Sequence, residues 1–155
     1  MPYFSYTVSY GLWTLAFWAL TAAVLPLLAL VGMIGLLPYL FILFRFAPFF
    51  AMLVIANRYA REFVDPPSNS DAMTFAAIGA LVVAALSVVA FALFNLGGWI
   101  SAQILGGEVD AGNAVQFSFD RSLAQMSGIV AFLSLAILFG MRTKSLIAHK
   151  KANSL

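Results

Sequence analysis

At 155 residues, 63% of them hydrophobic and 9% charged, the chain carries too few charges to cover a water-soluble surface; ordinary soluble domains are roughly half apolar and about a quarter charged. The net charge of +2 comes from a handful of Lys and Arg side chains that do not form a basic groove for nucleic acid. The absence of cysteine excludes disulfides, zinc–thiolate sites, iron–sulfur clusters and thiol nucleophiles.

Charge divides the chain. Residues 1–44 hold no charged side chain, Arg45 interrupts, and 46–57 is again uncharged. A spanning helix needs about 20 mostly apolar residues, so this stretch predicts two helices, at about 8–30 and 36–57. Their reversal is expected at Val31-Gly32-Met33-Ile34-Gly35, where glycine frees the backbone and Pro38 suits the first turn of a new helix. The first helix is expected to be retained, because the N-terminus has no basic n-region and the apolar stretch exceeds that of a signal peptide. Charges gather from Arg58 to Asp71, and Pro66-Pro67 stops the helix there. Ser70 or Asp71 is the expected N-cap of a third helix, at about 73–96.

The segment 97–121, with Gly97-Gly98, Trp99, Gly106-Gly107 and Gly112, reads as a periplasmic or interfacial stretch, with Trp99 at headgroup level. A fourth helix is predicted at about 122–142, followed by a basic tail over 143–155. The expectation is thus one all-α domain over 1–155, an integral membrane bundle of four transmembrane helices. Lys and Arg concentrate in the 58–72 loop and in the tail, so both are expected to be cytoplasmic, together with both termini.

Arg45 is the sharpest single feature, a permanent cation within the second predicted span. An arginine at mid-bilayer costs about 2.5–3.5 kcal/mol on insertion scales and usually has a partner. Pro48, three residues later, removes a helical donor, frees the Phe44 carbonyl and provides a cause for a kink. Arg45 therefore reads either as a binding residue for an anion or an acidic partner group, or as a snorkelling residue that orders the bundle. Arg58, Arg61 and Glu62 close the second helix, with Arg58 and Glu62 spaced as an i,i+4 pair. They read as a charged headgroup layer or as a cytoplasmic docking surface. Ala76, Ala80 and Ala84 form a small-residue stripe on the third helix, and Ala124 and Gly128 form one on the fourth. Such stripes let helices approach closely in lipid.

No predicted span contains an acidic residue, and the only histidine is His149 in the tail. Proton relays and bis-histidine haem ligation within one chain therefore have no residues to use. Glu108, Asp110 and Asp120 are too few for a calcium site, and none of the common nucleotide, zincin or hydrolase motifs occurs. No metal, cofactor or catalytic residue is expected.

The stretch Asn57-Arg58-Tyr59-Ala60-Arg61-Glu62-Phe63, then Pro66-Pro67-Ser68, then Asp71 opening an Ala/Gly-rich helix, resembles a family of small four-helix bacterial membrane proteins of unknown function. Asp71 stands where that pattern has Glu. The resemblance implies a bacterial inner membrane and assigns no activity. The leading expectation is a non-enzymatic accessory or regulatory subunit that binds another integral membrane protein, or forms a homo-oligomer, through helix–helix contacts. The alternatives are an immunity protein against a pore-forming toxin and an anion-selective transporter or channel acting as an oligomer.

Overall fold

The computed structural model describes residues 3–104 and 121–153. Every regular element among them is helical. Helix α1 covers Tyr3–Leu30, a 3-10 turn covers Ile34–Leu36, α2 covers Leu37–Arg45 and α3 covers Ala47–Glu62. Helix α4 covers Asn69–Ile104. Helix α5 covers Arg121–Leu133 and runs through a π-helical turn, Ser134–Phe139, into α6, Gly140–Ala152.

The reversal after α1 is a glycine C-cap. Gly32 adopts φ +70°, its amide bonds Ala29 O at 3.2 Å, and the Met33 amide bonds Leu28 O at 2.9 Å. That pair of bonds is a Schellman motif, and its left-handed residue is glycine for the usual steric reason. Pro38 occupies the first turn of α2. The start of α4 differs from the expected N-cap. Ser68 caps it, accepting the Asp71 amide on its Oγ at 3.1 Å, so the helix begins at Asn69 rather than near 73.

Three boundaries move for physical reasons. Helix α1 begins at Tyr3, not 8, because the residues before Thr7 still pack: Tyr6 is almost wholly buried. Helix α6 continues to Ala152, well past the expected end near 142, because Lys and Arg are good helix formers and a charged segment need not unwind. Helix α4 runs through Gly97-Gly98 to Ile104, so 97–104 is helical and exposed Trp99 stands on that helix. The rest of the expected interfacial segment, with Glu108, Asp110 and Asp120, lies outside the described residues.

Gly97 is a packing residue. A Cβ there would stand 2.6 Å from Ala22 O. That carbonyl is the one Pro26 leaves without its i+4 amide, so the bare glycine lets α4 close on an exposed stretch of α1 backbone. Gly79 is similarly constrained, by the side chains of Leu135 and Tyr10.

The helices form a bundle. Helix α1 packs along α4 and α3, α4 packs along α5, and the π turn and α6 return to α3. The interior is large and aromatic: Tyr6, Tyr10, Trp18, Phe44, Phe75 and Phe139 are essentially inaccessible. The exterior is apolar too, with Phe4, Leu30, Tyr39, Leu81, Trp99 and Met141 all more than 60% exposed. So much outward apolar surface suits hydrocarbon and not water. Three helices are long and apolar enough to cross a membrane, over Phe4–Leu30, Asn69–Ser101 and Gln125–Ala152. The second predicted span, 36–57, is broken at Phe46 and is not among them.

Gly97→Ala is expected to lower thermal stability in mild detergent, by about 1–3 kcal/mol for an overpacked contact against backbone. Gly140→Ala, whose Cβ would meet nothing within 4 Å, is expected to cause no loss. Equal melting temperatures for the two variants would contradict the close α1–α4 approach.

Candidate functional site

The break in the second helical arm organises its surroundings. Phe46 sits between α2 and α3 at φ −91°, ψ 3°, and its amide bonds back to Ile42 O and Leu43 O at 3.2 and 3.1 Å. Pro48, fully buried, has no amide to offer the Phe44 carbonyl. A side-chain donor comes from 26 residues away: Trp18 Nε1 donates to Phe44 O at 2.8 Å, and the two rings stack at 5.7 Å between centroids. Trp18 is 0% exposed, so the bond lies wholly inside the protein. The sequence shows which carbonyl is freed. It does not show that Trp18 meets it.

Arg45 follows immediately. It ends α2, its side chain is exposed, and it has no ion pair or side-chain hydrogen bond with another described residue. Its neighbours Ile42, Leu43 and Phe46 are also exposed, at 54%, 48% and 47%. Trp18 marks its depth along the bundle. That residue stands twelve positions from both Tyr6 and Leu30, roughly 18 Å each way at helical rise. Arg45 is therefore a cation on the outer surface, midway along α1, in an apolar setting.

A second polar group lies at one end of the bundle. The Tyr6 hydroxyl donates to Glu62 Oε2. Arg58 Nε donates to Glu62 Oε1 at 2.8 Å, and Arg58 Nη1 donates to Ser9 Oγ at 2.9 Å. The Arg58 guanidinium also lies 5.3 Å from the Tyr6 ring centroid. The cluster ties the start of α1 to the end of α3. Lys150 Nζ donates to Arg61 O at 3.3 Å, and Lys151 approaches Asp65 at 3.6 Å, so the end of α6 joins the same layer. The Arg58 hydrogen bond first, and the Tyr6 hydroxyl second, hold the Glu62 carboxyl below its ordinary pKa.

The small-residue stripes meet inside the bundle. Ala76 is buried, and Gly128 on α5 faces Ala80 and Ala84 on α4, both at 4.0 Å from where its Cβ would be. Ala124 lies on α5, and its side chain is outside the described set. Three buried hydroxyls turn back onto their own helices: Thr14 bonds Tyr10 O, Ser134 bonds Ala131 O and Thr143 bonds Phe139 O, whereas those of Thr7 and Ser127 have no partner among the described residues. Turning back is how a hydroxyl is satisfied without a partner helix. Among the described residues no three His, Asp or Glu side chains gather as a metal site would require. His149 is exposed near the end of α6.

No family model, no curated protein and no solved structure matches the chain.

Trp18→Phe is expected to destabilise the protein by about 1–3 kcal/mol, because it removes a buried side-chain hydrogen bond to the Phe44 carbonyl. In a Pro48→Ala background the loss should shrink, since that substitution restores a main-chain amide that can bond Phe44 O. Additive losses in this double-mutant cycle would contradict the assignment. Glu62 has a depressed pKa in the folded state. Its contribution is therefore present at neutral pH and is lost as pH falls through and below the ordinary glutamate range. Wild type should lose more thermal stability than Glu62→Gln between pH 7 and pH 3, as read by melting in detergent.

Proposed function

We propose that the chain is a non-enzymatic accessory subunit of a membrane complex, and that it binds a larger integral membrane protein at the face carrying Arg45. It is read as crossing the bilayer four times, with α2 and α3 together making one broken pass. Its termini and the 58–72 loop are read as lying on the cytoplasmic side of a bacterial inner membrane. The gathering of α1's start, α3's end and α6's end in one polar layer supports an even number of passes between them. The excess of Lys and Arg in that layer supports its cytoplasmic placement.

The observation that carries the reading is the exposed Arg45 at the depth of Trp18. A cation facing hydrocarbon is costly, whereas a carboxylate or carbonyl from a neighbouring helix would satisfy it. Ile42, Leu43 and Phe46 supply apolar contact around it. A conducting path through a single chain finds no support, because Arg45 points away from the bundle interior.

The test is co-purification of the tagged chain in mild detergent, with mass spectrometry of its companions. Wild type should bring down a larger membrane protein in stoichiometric amount. Arg45→Leu should lose it while inserting normally and melting no lower than wild type. Unchanged recovery with Arg45→Leu, or a wild-type chain that purifies alone, would overturn the proposal.

A further inference from the structure

Beside the clustered end of α3 is an open recess of about 400 Å3, lined by Val54, Asn57, Arg58, Arg61 and Glu62. Positions 54, 57, 58 and 61 follow the i, i+3, i+4, i+7 spacing of one helix face. Their roles divide. Arg58 is held by Glu62, Ser9 and the Tyr6 ring, and Glu62 is taken up by Arg58 and Tyr6. The Arg61 guanidinium and the Asn57 amide are exposed and bond no other described residue. Only the main-chain carbonyl of Arg61 is used, by Lys150, which brings a further cation to the rim.

We propose that this recess binds the phosphate of an anionic phospholipid, with the Arg61 guanidinium and the Asn57 amide as donors and Val54 against the upper acyl chain. A guanidinium fork matches two phosphate oxygens, and an uncommitted arginine is the side chain best suited to that geometry. The charge of Glu62 is offset by Arg58 and its oxygens are taken up by Arg58 and Tyr6, which leaves Arg61 as the uncommitted cation of the recess. Two features favour a lipid over free phosphate. The recess lies on the outer face of α3, where polar lining gives way to apolar. Its level is also that of the basic layer formed by Arg58, Arg61, Lys150 and Lys151, which suits an anionic headgroup surface. The site is separate from Arg45 and rests only on the membrane reading of the chain.

The test uses the full chain in mild detergent, titrated with short-chain phosphatidylglycerol or phosphatidylcholine and read by native mass spectrometry. Wild type should bind phosphatidylglycerol in preference to phosphatidylcholine. Arg61→Ala should weaken that binding roughly tenfold. Asn57→Ala should weaken it less, and Lys144→Ala, an exposed change outside the recess, should leave it unchanged. Millimolar inorganic phosphate should fail to displace the lipid. Equal binding of the two lipids, or equal effects of Arg61→Ala and Lys144→Ala, would overturn the proposal. Displacement by inorganic phosphate would overturn the lipid assignment in favour of the free anion. A chain that stays soluble and monodisperse without detergent would overturn the membrane reading, and this proposal with it.

Discussion

Pro48 denies the buried Phe44 carbonyl its usual i+4 amide, and the Trp18 indole donates to it from α1. Buried main-chain groups must be paired, and the demand is strongest in hydrocarbon. One bond therefore settles several things together. It fixes the register of α1 against the broken arm, holds the break at Phe46 midway along α1, and sets Arg45 on the outside directly beside it. The cluster of Tyr6, Ser9, Arg58 and Glu62 fixes the same two helices at their other end. Between the two lies an aromatic interior whose rings leave little freedom to slide.

Proline recurs as an organising device in α1. Pro26 frees the Ala22 carbonyl as Pro48 frees that of Phe44. In one case an indole N–H fills the gap. In the other a glycine, Gly97, lets α4 close on the freed backbone. The same covalent fact, a missing amide hydrogen, thus shapes two helix contacts by different means.

Much of this architecture is legible in the sequence, for reasons that can be named. Uncharged runs of helical length predict α1, α4 and the rod from α5 through the π turn, and the Gly32 turn follows from a residue free to take positive φ. The Arg58–Glu62 pair follows from spacing alone. What is not legible is long-range. Nothing local to Trp18 says that it meets Phe44. Gly97-Gly98 suggests a helix end unless the approach of Ala22 is known. Boundaries set by charge fall short of the true helix ends, since charge marks where a bilayer would end and not where hydrogen bonding stops. The π turn at Ser134–Phe139 has no signature in composition. Arg45 is legible as a position, while its outward direction depends on the break at Phe46.

Everything proposed for Arg45 depends on its facing outward at mid-depth in a bilayer, and the native chain lacks cysteine, so a single probe can be placed beside it. A nitroxide on Ile42→Cys, with Arg45 intact and the chain reconstituted in vesicles, reports depth from its relative access to oxygen and to a water-soluble nickel chelate. High oxygen access, low nickel access and a depth near the bilayer centre are the expected result. A label that meets the nickel chelate as readily as a label on the 63–68 loop would contradict the mid-depth placement of Arg45.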